Sequence, residues 1–302
     1  GGASGTGKLL AEGSVNEPIR FVSETAGSAG PRIQFLGGTL PGTKLSHCHF
    51  EQGGTASNLY DGMGVIDLQD AHVSIENVVV KNARCAFTLN ANSYFDAFAN
   101  NTIESTVNYG VVLNANWAHT IGTGNQFKGP NGIIVTGGSQ NPLIHPAVTW
   151  LRQSSPYIIR DDVYVGSAEG SVLTIEPGST LAFQGSSLYV GYNSAKGGLF
   201  ADGAGDSIVF TSARPDKAKG DWKSVWFAEG TLSGSVVNKC ILEYSGGHAY
   251  GVIHASHTDV PVITNNTIRH TSQYGISAEG STPTVSGNVY IDVDKEHAHF
   301  YE

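Results

Sequence analysis

The feature that most constrains this chain is that it repeats itself at long range. Gly198-Leu199-Phe200-Ala201-Asp202-Gly203 is matched by Lys8-Leu9-Leu10-Ala11-Glu12-Gly13, and Ser207-Ile208-Val209-Phe210-Thr211-Ser212 by Pro18-Ile19-Arg20-Phe21-Val22-Ser23. Gly230-Thr231-Leu232-Ser233-Gly234 pairs with Gly38-Thr39-Leu40-Pro41-Gly42, and Cys240 with Cys48. An offset that holds near ~190 residues through several blocks is an internal duplication, and it bounds the fold before any single motif does.

Within each copy a shorter period runs. Val78-Val79-Val80, Asn101-Thr102-Ile103 and Asn125-Gln126-Phe127 recur at about 24 residues, with second strand signals between them at Cys85 to Leu89, Tyr109 to Leu113 and Gly132 to Val135. A unit of that length with two or three short strands cannot bury its apolar face alone and must stack on its neighbours. Gly at 39 of 302 residues and charged residues at only 14% suit tight turns and closely stacked strands. The expectation is an all-β single-stranded right-handed parallel β-helix, a solenoid of about a dozen coils with an internal duplication. Residues 1–146 form the first copy and 147–302 the second, joined through the Pro-bearing stretch 130–156 into one continuous solenoid. The first copy lacks a partner for Val172 to Val190, so the sequence is expected to be part of a longer chain.

The formal charge of −9, from 17 Lys and Arg against 26 Asp and Glu, argues against nucleic acid as a partner. It also disfavours a polyanionic polysaccharide unless a cation bridges the charges. No apolar run of 18 residues exists to span a membrane as a helix. Three Cys make no disulfide framework. In a continuous solenoid Cys48 and Cys240 lie roughly 40 Å apart at ~4.8 Å per coil, so all three thiols are expected to be reduced and mostly buried.

Leu173-Thr174-Ile175-Glu176-Pro177-Gly178, Gly198 to Gly203, Ile208 to Ser212 and the Asn-x-Ile coils such as Asn266-Thr267-Ile268 resemble bacterial surface and secreted proteins of the parallel β-helix type, in the pectate-lyase-like superfamily. The resemblance implies a secreted or cell-surface protein whose partner is a polysaccharide or cell-surface glycan. It spans both lyases and hydrolases and non-enzymatic adhesins, so fold alone does not give function. The expected function is a non-catalytic module for adhesion or carbohydrate binding; the alternative is a polysaccharide lyase or glycoside hydrolase. Ca²⁺ or another divalent metal is a candidate cofactor, because the lyases of this superfamily bind Ca²⁺ through carboxylates.

The turn asparagines Asn100-Asn101, Asn265-Asn266 and Asn125, with Asn77 within one residue of the same position, read as a structural ladder, since an amide both donates and accepts. Lys81, Glu104 and Lys128, preceded by Glu51, and Glu243 with Arg269 read as surface charge ladders. His47 and His49 share one face of the strand expected over 45–50 and could hold a metal. His248, His254, His257 and His270, with Glu243 and Asp259, form a second possible ligand set. Asp161-Asp162 after Arg160 reads as an ion pair at a strand edge. The tail 292–302 is expected to cover or fray from the last coil, with His297 and His299 in solvent. The candidate ligand-binding residues are those on or beside wide loops: Tyr60 and Asp61 in the first copy, and Trp222, Glu243, Tyr250, His254 and His257 in the second.

Overall fold

A computed structural model of the chain describes residues 5–22, 30–54, 64–104, 109–128, 132–140 and 142–302. It divides into two compact units: residues 1–134 with 153–155, and residues 135–152 with 156–302. Each is built the same way. The chain turns through three short strands per coil, and every strand pairs in parallel with the equivalent strand of the next coil.

In the first unit one sheet comprises Leu10–Glu12, Lys44–Ser46, His72–Glu76 and Tyr94–Ala99. A second holds Ile19–Phe21, Cys48–Glu51, Val79–Lys81, Thr102–Glu104 and Gln126–Lys128, and a third includes Ile33–Phe35, Ile66–Leu68, Cys85–Leu89 and Tyr109–Asn114. The second unit repeats the pattern. Its first sheet runs Ala147–Trp150, Ser171–Ile175, Gly197–Asp202, Val236–Asn238, Val262–Thr264 and Thr284–Ser286. Its second contains Tyr157–Ile159, Thr180–Phe183, Val209–Ser212, Ile241–Glu243, Thr267–Thr271 and Val289–Val293. Its third is Val163–Val165, Leu188–Val190, Val225–Phe227, Ile253–Ser256, Ile276–Glu279 and Ala298–Tyr301. The only helical segment among the described residues is the short 3₁₀ turn Ala115–Thr120.

Register explains the sequence period. Phe50 lies over Val80, Val80 over Ile103 and Ile103 over Phe127, all buried, so one apolar residue per coil fills the same level of the core. The charges one residue on fall into register as well: Lys81 reaches Glu104 at 3.2 Å and Lys128 reaches it at 3.6 Å. These exposed pairs contribute about 0–1 kcal/mol each.

The corner between the first and second strands is made by one residue in the left-handed backbone region: His47, Asn77, Asn100 and Gly124 in the first unit, Lys239, Asn265 and Gly287 in the second. Asn tolerates that conformation, and Gly adopts it freely. The corner breaks 45–50 into Lys44–Ser46 and Cys48–Glu51. His47 is therefore not on one strand face with His49; its Nδ1 instead lies 3.0 Å from Ser46 Oγ. Asn77, expected in the ladder, occupies the corner and leaves Val78 at the buried position. Gly13 and its counterpart Gly203 sit against the carbonyls of the corner residues His47 and Lys239, where an added Cβ would come within 2.6 and 2.3 Å.

Immediately after the corner the buried asparagines do what the spacing predicts. Asn101 Oδ1 accepts from the Val78 N–H at 2.9 Å, while its Nδ2 donates to Ile75 O and to Asn125 Oδ1, both at 3.0 Å. Asn266 accepts from the Cys240 N–H at 2.9 Å and donates to Val237 O at 2.9 Å and Asn288 Oδ1 at 3.0 Å. All three cysteines are free and buried. The duplication extends to their hydrogen bonds: Cys48 Sγ donates to Ala11 O and Ser46 O, and Cys240 Sγ to Ala201 O and Asn238 O. Burial pushes the Cys85 and Cys240 thiols up to about 12.

The tail does not fray: Ala298–Tyr301 pairs with Ile276–Glu279 as the last strand of the third sheet. His297 stacks on Tyr290 at 4.7 Å and remains exposed as expected, whereas His299, stacked on Tyr274 at 4.5 Å, is half-buried.

Asn266→Ala leaves the Cys240 N–H and Val237 carbonyl without their partner and should lower the unfolding free energy by about 2–4 kcal/mol, measured by urea titration. Thiol titration should find almost no reactive Cys in the native protein and three after denaturation.

Candidate functional site

The third sheet of the second unit carries the most unusual outer surface among the described residues. In each of its first three strands the flanking residues are buried, Val163 and Val165, Leu188 and Val190, Val225 and Phe227, which turns the middle residue outward. Parallel pairing then sets those middle residues one above another: Tyr164, Tyr189, Trp226, His254, Ser277 and His299. Five of six positions are aromatic rings.

Their contacts define how the face is presented. Tyr164 stacks on Tyr189 with centroids 4.7 Å apart, and Trp226 meets His254 edge to face at 4.4 Å. Tyr250, from the preceding turn, stacks on His254 at 4.3 Å and on His248 at 5.0 Å. Stacked rings cover one another's faces, so what points outward is ring edges and phenol hydroxyls, while the His254 ring stays buried beneath them. Burial and nearby carboxylates, Asp162 and Glu279 respectively, push Tyr164 and Tyr301 up to about 12, so both phenols stay protonated donors at any physiological pH.

At one end the face opens into a pocket of about 180 Å³ lined by Ala249, Tyr250, Tyr274, Ser277, His299 and Tyr301. Ser277 Oγ forms its floor, accepting from the Gly251 N–H at 2.8 Å and lying 2.8 Å from His254 Nδ1. His254 is 0% exposed. Its Nε2 has no hydrogen-bond partner among the described residues and lies 4.0 Å from Glu279 Oε2; Trp226 Nε1 is likewise buried without a partner. Burial lowers His254 to about 4, outweighing the opposing Ser277 hydrogen bond, and His248 and His257 push in the same direction. The ring is neutral at pH 7.

Of the residues expected to bind a ligand, the structure brings Tyr250 and His254 together on this face. Trp222 is 0% exposed. Its ring stacks on Phe183 at 4.4 Å and its indole N–H donates to Glu243 O at 2.8 Å, so it belongs to the core and offers no surface to a ligand. Glu243 is on the second sheet, its carboxylate held by Arg269 at 2.6 and 2.8 Å and by Thr211 at 2.8 Å, which makes it a structural ion pair. His257 turns the corner after Ile253–Ser256 with a left-handed backbone, its Nδ1 3.0 Å from Ser256 Oγ. Tyr60 and Asp61 lie outside the described residues. Of the wider His set, His248 lies with Tyr250 and Trp226 on this face. His270 stacks on Tyr244 and bonds Asp292, and no group of three His, Cys, Asp or Glu able to hold a metal ion occurs among the described residues. Asp161 and Asp162 are in ordinary pairs, with Arg160 at 3.6 Å and Lys223 at 3.3 Å.

Spacing could have found Tyr164 and Tyr189, each the centre of an apolar-Tyr-Val triplet 25 residues apart. Nothing local marks Ser277, Tyr274, His299 or Tyr301, because their meeting depends on register between coils. The duplication gives the sharpest contrast. Gln34 and Asp67 occupy in the first unit the outward positions that Trp226 and His254 hold in the second. There Asp67 takes hydrogen bonds from Arg32, Gln34, Gln69 and Thr88, so its carboxylate is satisfied within the face. The inward residues kept their character after duplication while the outward ones diverged.

Comparison with known families agrees with this architecture: residues 4–146 match the family model described as a right handed beta helix region. With the second unit built from the same stacked parallel coils, the chain is a right-handed parallel β-helix protein. Comparisons with curated proteins and with solved structures found no match.

His254 yields a pH prediction. Its folded value, about 4, is below the ordinary 6.5, so below pH 6.5 the unfolded chain takes up a proton that the native state refuses. Stability from this residue is intact above pH 6.5 and falls by about 1.4 kcal/mol per unit as pH drops toward 4. Urea unfolding at pH 7.5 and 4.5 should show a smaller acid loss for His254→Gln than for the parent protein.

Proposed function

We propose that the chain is a non-catalytic carbohydrate-binding module of an extracellular or cell-surface protein, and that it contacts glycan through the aromatic face of its second unit. The observation that carries this reading is the column Tyr164, Tyr189, Trp226, His254, Ser277 and His299, with the pocket at its end. A rigid sheet holds these groups at a fixed spacing, so little ordering entropy opposes binding. Aromatic edges and hydroxyls together suit a ligand that is apolar on its ring faces and dense in hydroxyl groups at its rim.

The non-catalytic reading is supported by the state of the buried acids. Glu243 is tied to Arg269 and Thr211, and Asp221 to Ser212 at 2.6 Å and to Arg214 at 3.2 Å. A general acid or base has to keep an oxygen free for the reacting bond. Neither of these does.

A glycan array run beside a polysaccharide depolymerisation panel, with and without Ca²⁺, tests the proposal. Binding without new unsaturated or reducing ends, weakened at least tenfold by Trp226→Ala, is the expected result. Chain cleavage abolished by Glu243→Gln would replace the module with an enzyme.

A further inference from the structure

Resting on the carbohydrate-binding reading, we infer that the ligand of the aromatic face is a neutral glycan, recognised through the ring edges and hydroxyls rather than by charge, with one sugar unit seated in the Tyr250, Tyr274 and Tyr301 pocket. The six strands of the face contain no Lys or Arg, and their one carboxylate is Glu279. A uronate or sulfated chain laid across them would meet no guanidinium fork, the group that binds such anions in bidentate fashion. It would meet Glu279 instead. Two cations at the margin are already engaged: Lys223 with Asp162 at 3.3 Å, and Lys295 over the Tyr274 ring at 4.7 Å. Glu296, bonded to His299 at 2.7 Å, adds a second anion beside the pocket.

What the face offers instead is neutral hydrogen bonding. Tyr164 and Tyr301 remain protonated, His254 is uncharged, and Trp226 Nε1 and His254 Nε2 are buried polar atoms without partners among the described residues. Such atoms are rare in native structures and call for a partner. Both atoms lie beneath the surface, so a sugar hydroxyl reaches them through a bridging water rather than directly.

The test is a titration of the whole chain by affinity electrophoresis and calorimetry against neutral polymers (xylan, galactomannan, β-glucan) and polyanions (polygalacturonate, alginate, heparin), each at 50 and 500 mM NaCl and with or without Ca²⁺. The parent protein should bind a neutral polymer with less than a twofold change between the two salt concentrations. Tyr301→Phe, which keeps the ring and removes only the hydroxyl, should weaken binding about as much as Tyr301→Ala, with circular dichroism and thermal melting confirming that both are folded. Three results would overturn the inference. If a polyanion binds instead, loses affinity with salt and is still weakened by Trp226→Ala, the glycan face stands but its neutral ligand does not. If Tyr301→Phe binds as the parent does, edge recognition fails. If no glycan of either class binds, this inference falls together with the carbohydrate reading.

Discussion

Every residue of one coil lies about 4.8 Å from its equivalent in the next, and that repeat governs everything else in the molecule. A position can be occupied only by a side chain that tolerates a close copy of its neighbour above and below. Inward, this selects residues that interdigitate without polar atoms, as in the column Phe50, Val80, Ile103 and Phe127. At corners it selects a left-handed residue followed by a group able to bond in both directions, which is what Asn101 and Asn266 supply. Outward, it selects charges that alternate in sign or rings that stack.

The same rule separates what was legible in the sequence from what was not. Repeats, coil length, core positions and the Asn ladder all follow from period and residue type, and they were readable at once. The break at His47 was not, because alternation from Leu45 to Phe50 looks identical for one strand and for two strands joined at a corner. Trp222 shows a second limit. It lies one turn before Val225–Phe227 on a stretch with loop composition, yet packing on Phe183 and the bond to the Glu243 carbonyl draw it fully inside. Burial of that kind is set by residues 39 positions upstream and 21 downstream, not by local pattern.

The candidate site belongs to the outward class, and there the two copies part. The first copy closes its face by directing four donors at Asp67. The second leaves ring edges, a pocket and two unpartnered nitrogens at corresponding positions. Phe35, Ile66 and Leu68 are buried beneath the first face as Val225, Phe227 and Ile253 are beneath the second, although Ile33 is only half-buried, so the sharper difference lies outward, where the proposed binding would use it.

The most direct measurement is therefore glycan affinity after giving the second copy the residue of the first at the middle of the face, Trp226→Gln, by analogy with Gln34. Trp226 stands on the outer side of a strand whose neighbours Val225 and Phe227 fill the core, so the exchange leaves those core residues in place and removes outer ring contacts such as that with His254. The account predicts an unfolding midpoint close to the parent's together with a loss of glycan binding of tenfold or more. Unchanged affinity in the folded variant would contradict it.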